Sequence, residues 1–385
     1  MSLVGNWNYP TTVRFGAGRI RELATACADL GIRRPLLVTD PGLMPLPPVA
    51  AAREALAGLP VAVFSDVRPN PVGKNVDDGV AAFKAAGCDG VVALGGGSTL
   101  DVAKAIALMV GQTRPLWDFE DVGDWYTRVD PAGMAPVVAI PTTSGTGSEV
   151  GRASVITKED EHRKLIIFHP RMLPGRVIAD PALTVGLPAK LTAAVGMDAL
   201  SHNLEAYCAP GFHPQADGIA MEGMRLVNEA LVTAVRDGSD LTARSQMMAA
   251  SLMGAAAFQK GLGGMHALAH PIGAQLDAHH GLINAIVMPY VLAFNRSAIE
   301  DRLARLARVL DLPGHSATSV IDWTLSLREQ IGIPHTLASI GVTEAHFDAL
   351  APAAVADPSA GGNPIPLDVA ATTSLLRHAL EGRLP

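Results

Sequence analysis

Short β-branched runs alternate with amphipathic stretches through the first half of the chain, an order that few architectures tolerate. PLLVTD (35–40), VAVFSDV (61–67), GVVALGGG (90–97) and PVVAIPTT (136–143) read as buried strands ending in Gly, Asp or Thr. Between them, VDDGVAAFKAAG (76–87) and STLDVAKAIALMV (98–110) carry helical spacing. Strand then helix, repeated, predicts a mostly parallel sheet with helices on both faces. ASVITKEDEHRKLIIF (153–168) departs from this pattern as two strand-like runs around a charged turn, a predicted hairpin. Beyond DPALTVGLPAKLTA (180–193) the strand signal fades into Ala, Leu, Met and Glu at helical periodicity. The stretch from Pro181 to Pro188 is therefore the expected boundary between an α/β domain (1–185) and an all-α domain (186–385).

Composition agrees with two cores. At 385 residues the chain exceeds the size at which one hydrophobic core keeps growing. Its 49% hydrophobic and 17% charged residues can fill a large interior. A mean hydropathy of +0.25 points to a subunit interface as well, so a homodimer or larger homo-oligomer is expected. With a net charge of -7 and no Lys/Arg run, nucleic acid is not an expected partner. MMAASLMGAAAF (247–258) is too short to span a bilayer and predicts a buried helix, so no membrane partner is expected. MSLVGNWNYP lacks the regions of a signal peptide, which makes the cytoplasm the expected compartment. Cys27, Cys88 and Cys208 form no C-x-x-C pair and predict neither a disulfide framework nor a thiolate metal site.

Two loops carry anion-binding chemistry. GGGSTLDVAK (95–104) follows a predicted strand and opens a helix, so its backbone N–H groups and the helix N-terminus suit a diphosphate. Leu100 stands where the dinucleotide fingerprint has its third glycine, and a tight strand-to-helix turn is the competing reading. PTTSGTGSEVG (141–151) also ends a strand and offers hydroxyls from Thr142, Thr143, Ser144, Thr146 and Ser148, which either meet a ligand or close their own turns. Asp40 closes a third strand; its carboxylate suits the two hydroxyls of an adenine ribose and repels a 2′-phosphate, with a structural turn as the alternative. Together these loops predict a Rossmann-like dinucleotide-binding domain that prefers NAD, with NADP as the alternative.

The second half holds a cluster of metal-ligating residue types. In GMDALSHNLEAY (196–207), Asp198 and His202 are four apart and share one helix face. HALAHPIGAQLDAHHG (266–281) holds four of the twelve histidines, His266, His270, His279 and His280. One carboxylate with two further imidazoles from this stretch suffices for Fe(II), Zn or another divalent metal, and on helical spacing alone His266 and His270 are the natural pair. The competing reading is metal-free, with Asp198 paired to His202.

GGGSTLDVAK, PTTSGTGSEV, DPALTVGLPAKLTAAVGMDALSHNLEAY and HALAHPIGAQLDAHHGLINA, in this order and spacing, resemble the iron-containing (group III) alcohol dehydrogenases over almost the whole chain. The resemblance implies an α/β dinucleotide-binding domain and a helical metal domain with the substrate in the cleft between them. It implies Asp198, His202, His266 and His280 as metal ligands, Fe(II) as the expected metal, and His270 as a proton relay beside them, with no role for His279. On the cofactor side it implies Asp40, Gly96, Gly97, Ser98, Asp101, Thr142 and Thr143, with Ser144, Ser148 and Lys164 added, and Asn70 at the cleft mouth. Asp40 precedes the glycine loop, the reverse of the familiar dinucleotide order, so the domain only resembles a Rossmann fold.

The implied reaction is hydride transfer between nicotinamide and a small alcohol or aldehyde polarised by the metal. Order along the chain makes Phe258, Leu262 and Gln259 the expected pocket lining and puts Trp125 and Tyr126 on an expected active-site loop. Two related alternatives, a dehydroquinate synthase-like lyase and a glycerol phosphate dehydrogenase-like enzyme, act on phosphorylated substrates and call for cations around the metal. Between Asp198 and His280 the basic residues are only Arg225, Arg236, Arg244 and Lys260. A metal hydrolase or a non-catalytic binder leaves one of the two motif sets unexplained.

Overall fold

The computed structural model describes residues 11–161 and 163–385. Among these the chain forms two compact units, a sheet unit of residues 11–143 and 147–186 and a helical unit of Ser144–Thr146 and Leu187–Pro385.

The sheet unit runs β1 (Val13–Phe15), α1 (Leu23–Asp29), β2 (Pro35–Val38), α2 (Pro47–Ala55), β3 (Ala62–Phe64), α3 (Gly73–Ala85), β4 (Gly90–Gly95), α4 (Gly97–Met109), β5 (Val137–Pro141), β6 (Ala153–Lys158), β7 (Arg163–Phe168) and β8 (Arg176–Ala179). Six strands form one sheet in the order β1-β8-β5-β4-β2-β3, and every pairing is parallel. β2, β4 and β5 are buried at every position, which is why they read as continuous apolar runs. β6 and β7 pair antiparallel as the predicted hairpin, with Thr157 opposite Lys164.

The strands are shorter than the sequence suggests, because Asp40, Gly96 and Thr142 belong to the turns that follow β2, β4 and β5. β1 and β8, absent from the sequence reading, extend the sheet on one side. From β2 the chain moves outward to β3 and then returns to the other side of β2 as β4, so the topological switch lies between β2 and β4. In open α/β sheets ligands bind outside the carboxyl ends of the strands at such a switch.

The helical unit comprises α5 (Ala189–Cys208), α6 (Pro214–Arg236), α7 (Leu241–Ala257), α8 (Gly264–Leu276), α9 (His280–Val309), α10 (Ala317–Gln330), α11 (Phe347–Val355) and α12 (Val369–Glu381). α5 is buried on nearly all sides, and glycines let its neighbours approach. A Cβ on Gly223 of α6 or Gly254 of α7 would lie 2.1 or 2.7 Å from the Asn203 amide, which donates to Ala199 O and Ala250 O. The 247–258 stretch falls on α7 and the turn after it.

α9 contains Pro289, whose missing N–H leaves the Ala285 carbonyl without its helical donor. The fully buried Arg328 of α10 supplies a replacement, donating to Ala285 O at 3.3 Å and Ile286 O at 2.7 Å. Among the described residues α9 alone is long and apolar enough to cross a bilayer, yet 67% of its most apolar window is buried inside the protein, as in a core helix.

Candidate metal centre and cofactor cradle

The metal-type residues converge within the helical unit. Asp198 and His202 project from one face of α5, His266 from the first turn of α8, and His280 opens α9. Asp198, His202 and His266 each offer one donor atom, all within 4.8 Å of one another, and all three side chains are buried. His202 Nε2 and His266 Nε2 stand 3.0 Å apart, and His280 Nε2 lies 3.7 Å from Asp198 Oδ1. One hard oxygen with imidazole nitrogens at one buried point is a donor set that fits a divalent first-row metal such as Fe(II) or Zn.

Close packing holds this set. A Cβ on Gly281 would sit 2.5 Å from Ala194 O and 3.0 Å from Asp198 Cβ, so α9 meets α5 where only glycine fits. α8 ends at Asp277, in the left-handed region at φ 51°, and His279 then caps α9 by accepting from Leu282 N at 3.4 Å. The turn between the two histidine pairs thus separates His270 on α8 from His280 on α9. The His270 ring stacks on that of His280, centroids 5.3 Å apart, and donates through Nδ1 to Asp357 Oδ2 at 2.8 Å.

Electrostatics separates the buried rings. Burial pushes His202 down to about 4, with His266 adding repulsion and Asp198 opposing both. Burial also lowers His266, but the charge and hydrogen bond of Glu205 outweigh it and raise the ring above the usual range. Two imidazoles in nitrogen-to-nitrogen contact cannot both hold protons there. Asp357 is buried, which alone would raise it; His270 nevertheless holds it below the usual carboxylate range.

Three neighbours of this cluster escaped the sequence reading. Glu205, three residues past His202 on α5, accepts from His266 Nδ1 at 2.6 Å. Asn284, one turn beyond His280, donates to Asp198 Oδ1 at 2.9 Å and also lies within 3.3 Å of His266 Nε2 and 3.1 Å of His280 Nε2. Asp357 is the third. Spacing signals existed for the first two, Glu205 at i+7 from Asp198 and Asn284 at i+4 from His280; Asp357 had none. Phe258 stands 5.3 Å, ring to ring, from His202.

The cofactor-type residues gather in the sheet unit, except Ser144, which is buried, and Thr146 of the same loop, both of which belong with the helical unit. Asp40 lies just after β2, at the switch; its Oδ1 accepts from Leu43 N at 3.0 Å, closing a turn, and its Oδ2 from Thr99 Oγ1 at 3.3 Å. Gly96 caps α4, and Gly97 and Ser98 form its first turn. A Cβ on Gly96 would meet the Thr143 side chain at 3.4 Å, so the loops after β4 and β5 lie side by side, and Thr142 N donates to Gly95 O. Ser98 donates to Pro69 O.

Asp101 accepts from Ser148 Oγ at 2.6 Å and Val155 N at 2.9 Å, pinning the loop and hairpin to α4. Lys164 donates to Asn70 Oδ1 at 2.8 Å. Beneath the loop, Lys104 is buried and donates to Ser148 O, and burial lowers its ammonium. Glu149 is fully buried and is raised to about 7. Trp125 and Tyr126 form a 3₁₀ turn in which Arg128 covers the Trp125 ring at 3.9 Å.

Comparison with known proteins places these features in one family. The iron-containing alcohol dehydrogenase family model matches residues 10–181, and the C-terminal model of Fe-containing alcohol dehydrogenases matches residues 192–380. The chain is 44% identical over 367 residues to 4-hydroxybutyrate dehydrogenase of Cupriavidus necator, covering 92% of this chain and 94% of that protein. A crystal structure of 1,3-propanediol oxidoreductase superposes with a TM-score of 0.93 at 37% identity, covering 98% of this chain and 100% of the other. Sulfoacetaldehyde reductase from Bifidobacterium kashiwanohense in complex with NAD+ superposes with a TM-score of 0.89 at 28% identity, over 98% of this chain and 99% of that one. The chain therefore belongs to the iron-containing alcohol dehydrogenases, metal-dependent, NAD-linked oxidoreductases that act on CH–OH groups.

Proposed function

We propose that this enzyme interconverts short, neutral primary alcohols and their aldehydes, with residues 1–185 holding NAD and residues 186–385 holding Fe(II) or a substitute such as Zn. The observation that carries this reading is the convergence of Asp198, His202 and His266 on one buried point with His280 beside it. A divalent ion there supplies Lewis acidity toward the alcohol oxygen, and NAD supplies the hydride acceptor. Asp198, His202, His266 and His280 hold the ion. Asp357 accepts a hydrogen bond from His270 Nδ1–H and so keeps that proton on Nδ1, which leaves Nε2 to accept the alcohol proton. Phe258, against His202, gives the site an apolar wall.

Asp40, Gly96, Gly97, Ser98, Thr142 and Thr143 surround the cofactor at the switch point, and Asp101, Ser144, Ser148 and Lys164 shape its loops. A neutral substrate is favoured because the four cations between Asp198 and His280 are few and three of them are engaged. Arg225 is half-buried and paired with Glu222 and Glu229, Lys260 with Asp217, and Arg244 is buried against Gly238 O and Thr192, while Arg236 lies exposed at the end of α6. The apolar composition supports a homo-oligomer, and we place the enzyme in the cytoplasm, without nucleic-acid or membrane partners.

The test is anaerobic NADH formation by Fe(II)-reconstituted protein with ethanol, 1,3-propanediol and 4-hydroxybutyrate, beside NADP+ and metal-free arms. Metal-dependent reduction of NAD+ with the neutral alcohols ahead of the hydroxy acid is expected. Preference for 4-hydroxybutyrate would overturn the neutral-substrate reading, and silence with NAD+ and metal both bound would overturn the alcohol substrate altogether.

A further inference from the structure

The geometry points to Glu205 as a positioning residue that sets the tautomer of His266 and supplies the second buried carboxylate of the metal centre. This rests on the ligand set proposed above. Asp198, His202 and Glu205 occupy positions i, i+4 and i+7 of α5, so one helix face presents two donors and, a turn further, a carboxylate. Glu205 is 5% exposed, and both of its oxygens are committed. Oε1 accepts from Met265 N at 2.6 Å, in the first turn of α8, and Oε2 accepts from His266 Nδ1 at 2.6 Å. The neighbouring Gly264 N donates to Asn363 Oδ1 at 3.0 Å, so side chains from outside α8 fix its N-terminus.

Two consequences follow for the metal. With its proton held on Nδ1, His266 turns the Nε2 lone pair toward His202 Nε2, the direction a ligand must face. The charge of Glu205 joins that of Asp198 beside a buried dication that would otherwise be half neutralised; the nearby Asp357 is already paired with His270.

An isosteric amide should therefore fail for a reason unrelated to size. In Glu205→Gln the fixed Met265 N–H claims the amide oxygen and turns the NH₂ toward His266 Nδ1. That nitrogen must then accept, and the ring proton moves to Nε2, facing the other donors. Glu205→Asp keeps the charge but is one methylene too short to hold Met265 N and His266 together.

The test uses the full-length, metal-free protein and three readouts. They are affinity for Zn(II) and for Co(II) by chelator competition, the His266 tautomer by long-range ¹H–¹⁵N NMR, and NADH affinity by fluorescence. Glu205→Gln is expected to weaken both metals about 10–100-fold, to move the proton to Nε2, and to leave NADH affinity unchanged; Glu205→Asp should fall between it and the wild type. A merely structural role would not move the tautomer. Zn(II) affinity of Glu205→Gln within about twofold of wild type, or a retained Nδ1–H, overturns the proposal, and so does wild-type affinity in Glu205→Asp, which also decides the matter if the Gln variant does not fold. If the wild type binds neither metal, or His266→Ala binds as tightly as wild type, the ligand set falls and takes the proposal with it.

Discussion

At the scale of single residues, the four histidines of 266–280 occupy unlike environments despite their closeness. His266 is buried between Glu205 and His202, whereas His270 is tied through Nδ1 to Asp357, stacks on His280 and meets His266 edge-on. His266→Ala is expected to lose Zn(II) affinity and turnover together. His270→Ala should keep metal content within about twofold while kcat falls on the order of 10²-fold, the contribution of one general base. Metal analysis beside steady-state rates separates the two, and an empty site in His270→Ala would return that residue to the ligand set. Helical spacing alone favoured His266 with His270, because it could not register that α8 ends at Asp277 and brings His280 back from the next helix. Spacing places Glu205 on the face of Asp198 but could not pair the acids with their histidines: the His266–Glu205 and His270–Asp357 bonds span 61 and 87 positions. Such pairs become visible only once helices are packed.

At the scale of elements, α9 is held by one glycine and one arginine. Gly281→Ala would place a methyl 2.5 Å from Ala194 O, pushing α9 and the adjoining His280 away from α5. A stability loss of about 1–3 kcal/mol is expected from such overpacking, with weakened Zn(II) binding, and thermal melts with and without metal check both. Arg328→Met removes the donor that stands in for the missing Pro289 N–H, costing about 1–3 kcal/mol for the buried Ala285 carbonyl left unpaired. Urea midpoints should fall while metal affinity holds. The central parallel strands were legible in the sequence because burial on both faces writes continuous apolar runs, the helical second half through its helical periodicity, and the hairpin through its charged turn between two strand-like runs. The outer strands were not: β1, at the sheet edge, has no buried position, and β8 opens on the half-buried Arg176, so neither writes a fully apolar run.

At the scale of the whole molecule, buried charge ties stability to pH. Glu149 is raised to about 7 by burial, against the pull of its own backbone hydrogen bond and of Lys104. Unfolded, it titrates near 4.5, so between the two values the folded chain holds a proton that the unfolded chain releases. Its stabilising contribution is complete below about pH 4.5 and is lost as pH rises through 7. Glu149→Gln should flatten the decline in thermal midpoint from pH 5 to pH 8, read as the difference from wild type because His202, lowered to about 4, contributes with the opposite sign. A slope identical in both proteins would assign the pH response elsewhere. The placement of the donors has a practical corollary. Asp198, His202, His266 and His280 all belong to the helical unit, while the glycine loop and Asp40 belong to the sheet unit. On the proposed assignments, a purified batch would be fully competent to bind nucleotide and still be mostly inert, and its specific activity would be a census of loaded molecules, to be divided by metal content before variants are ranked.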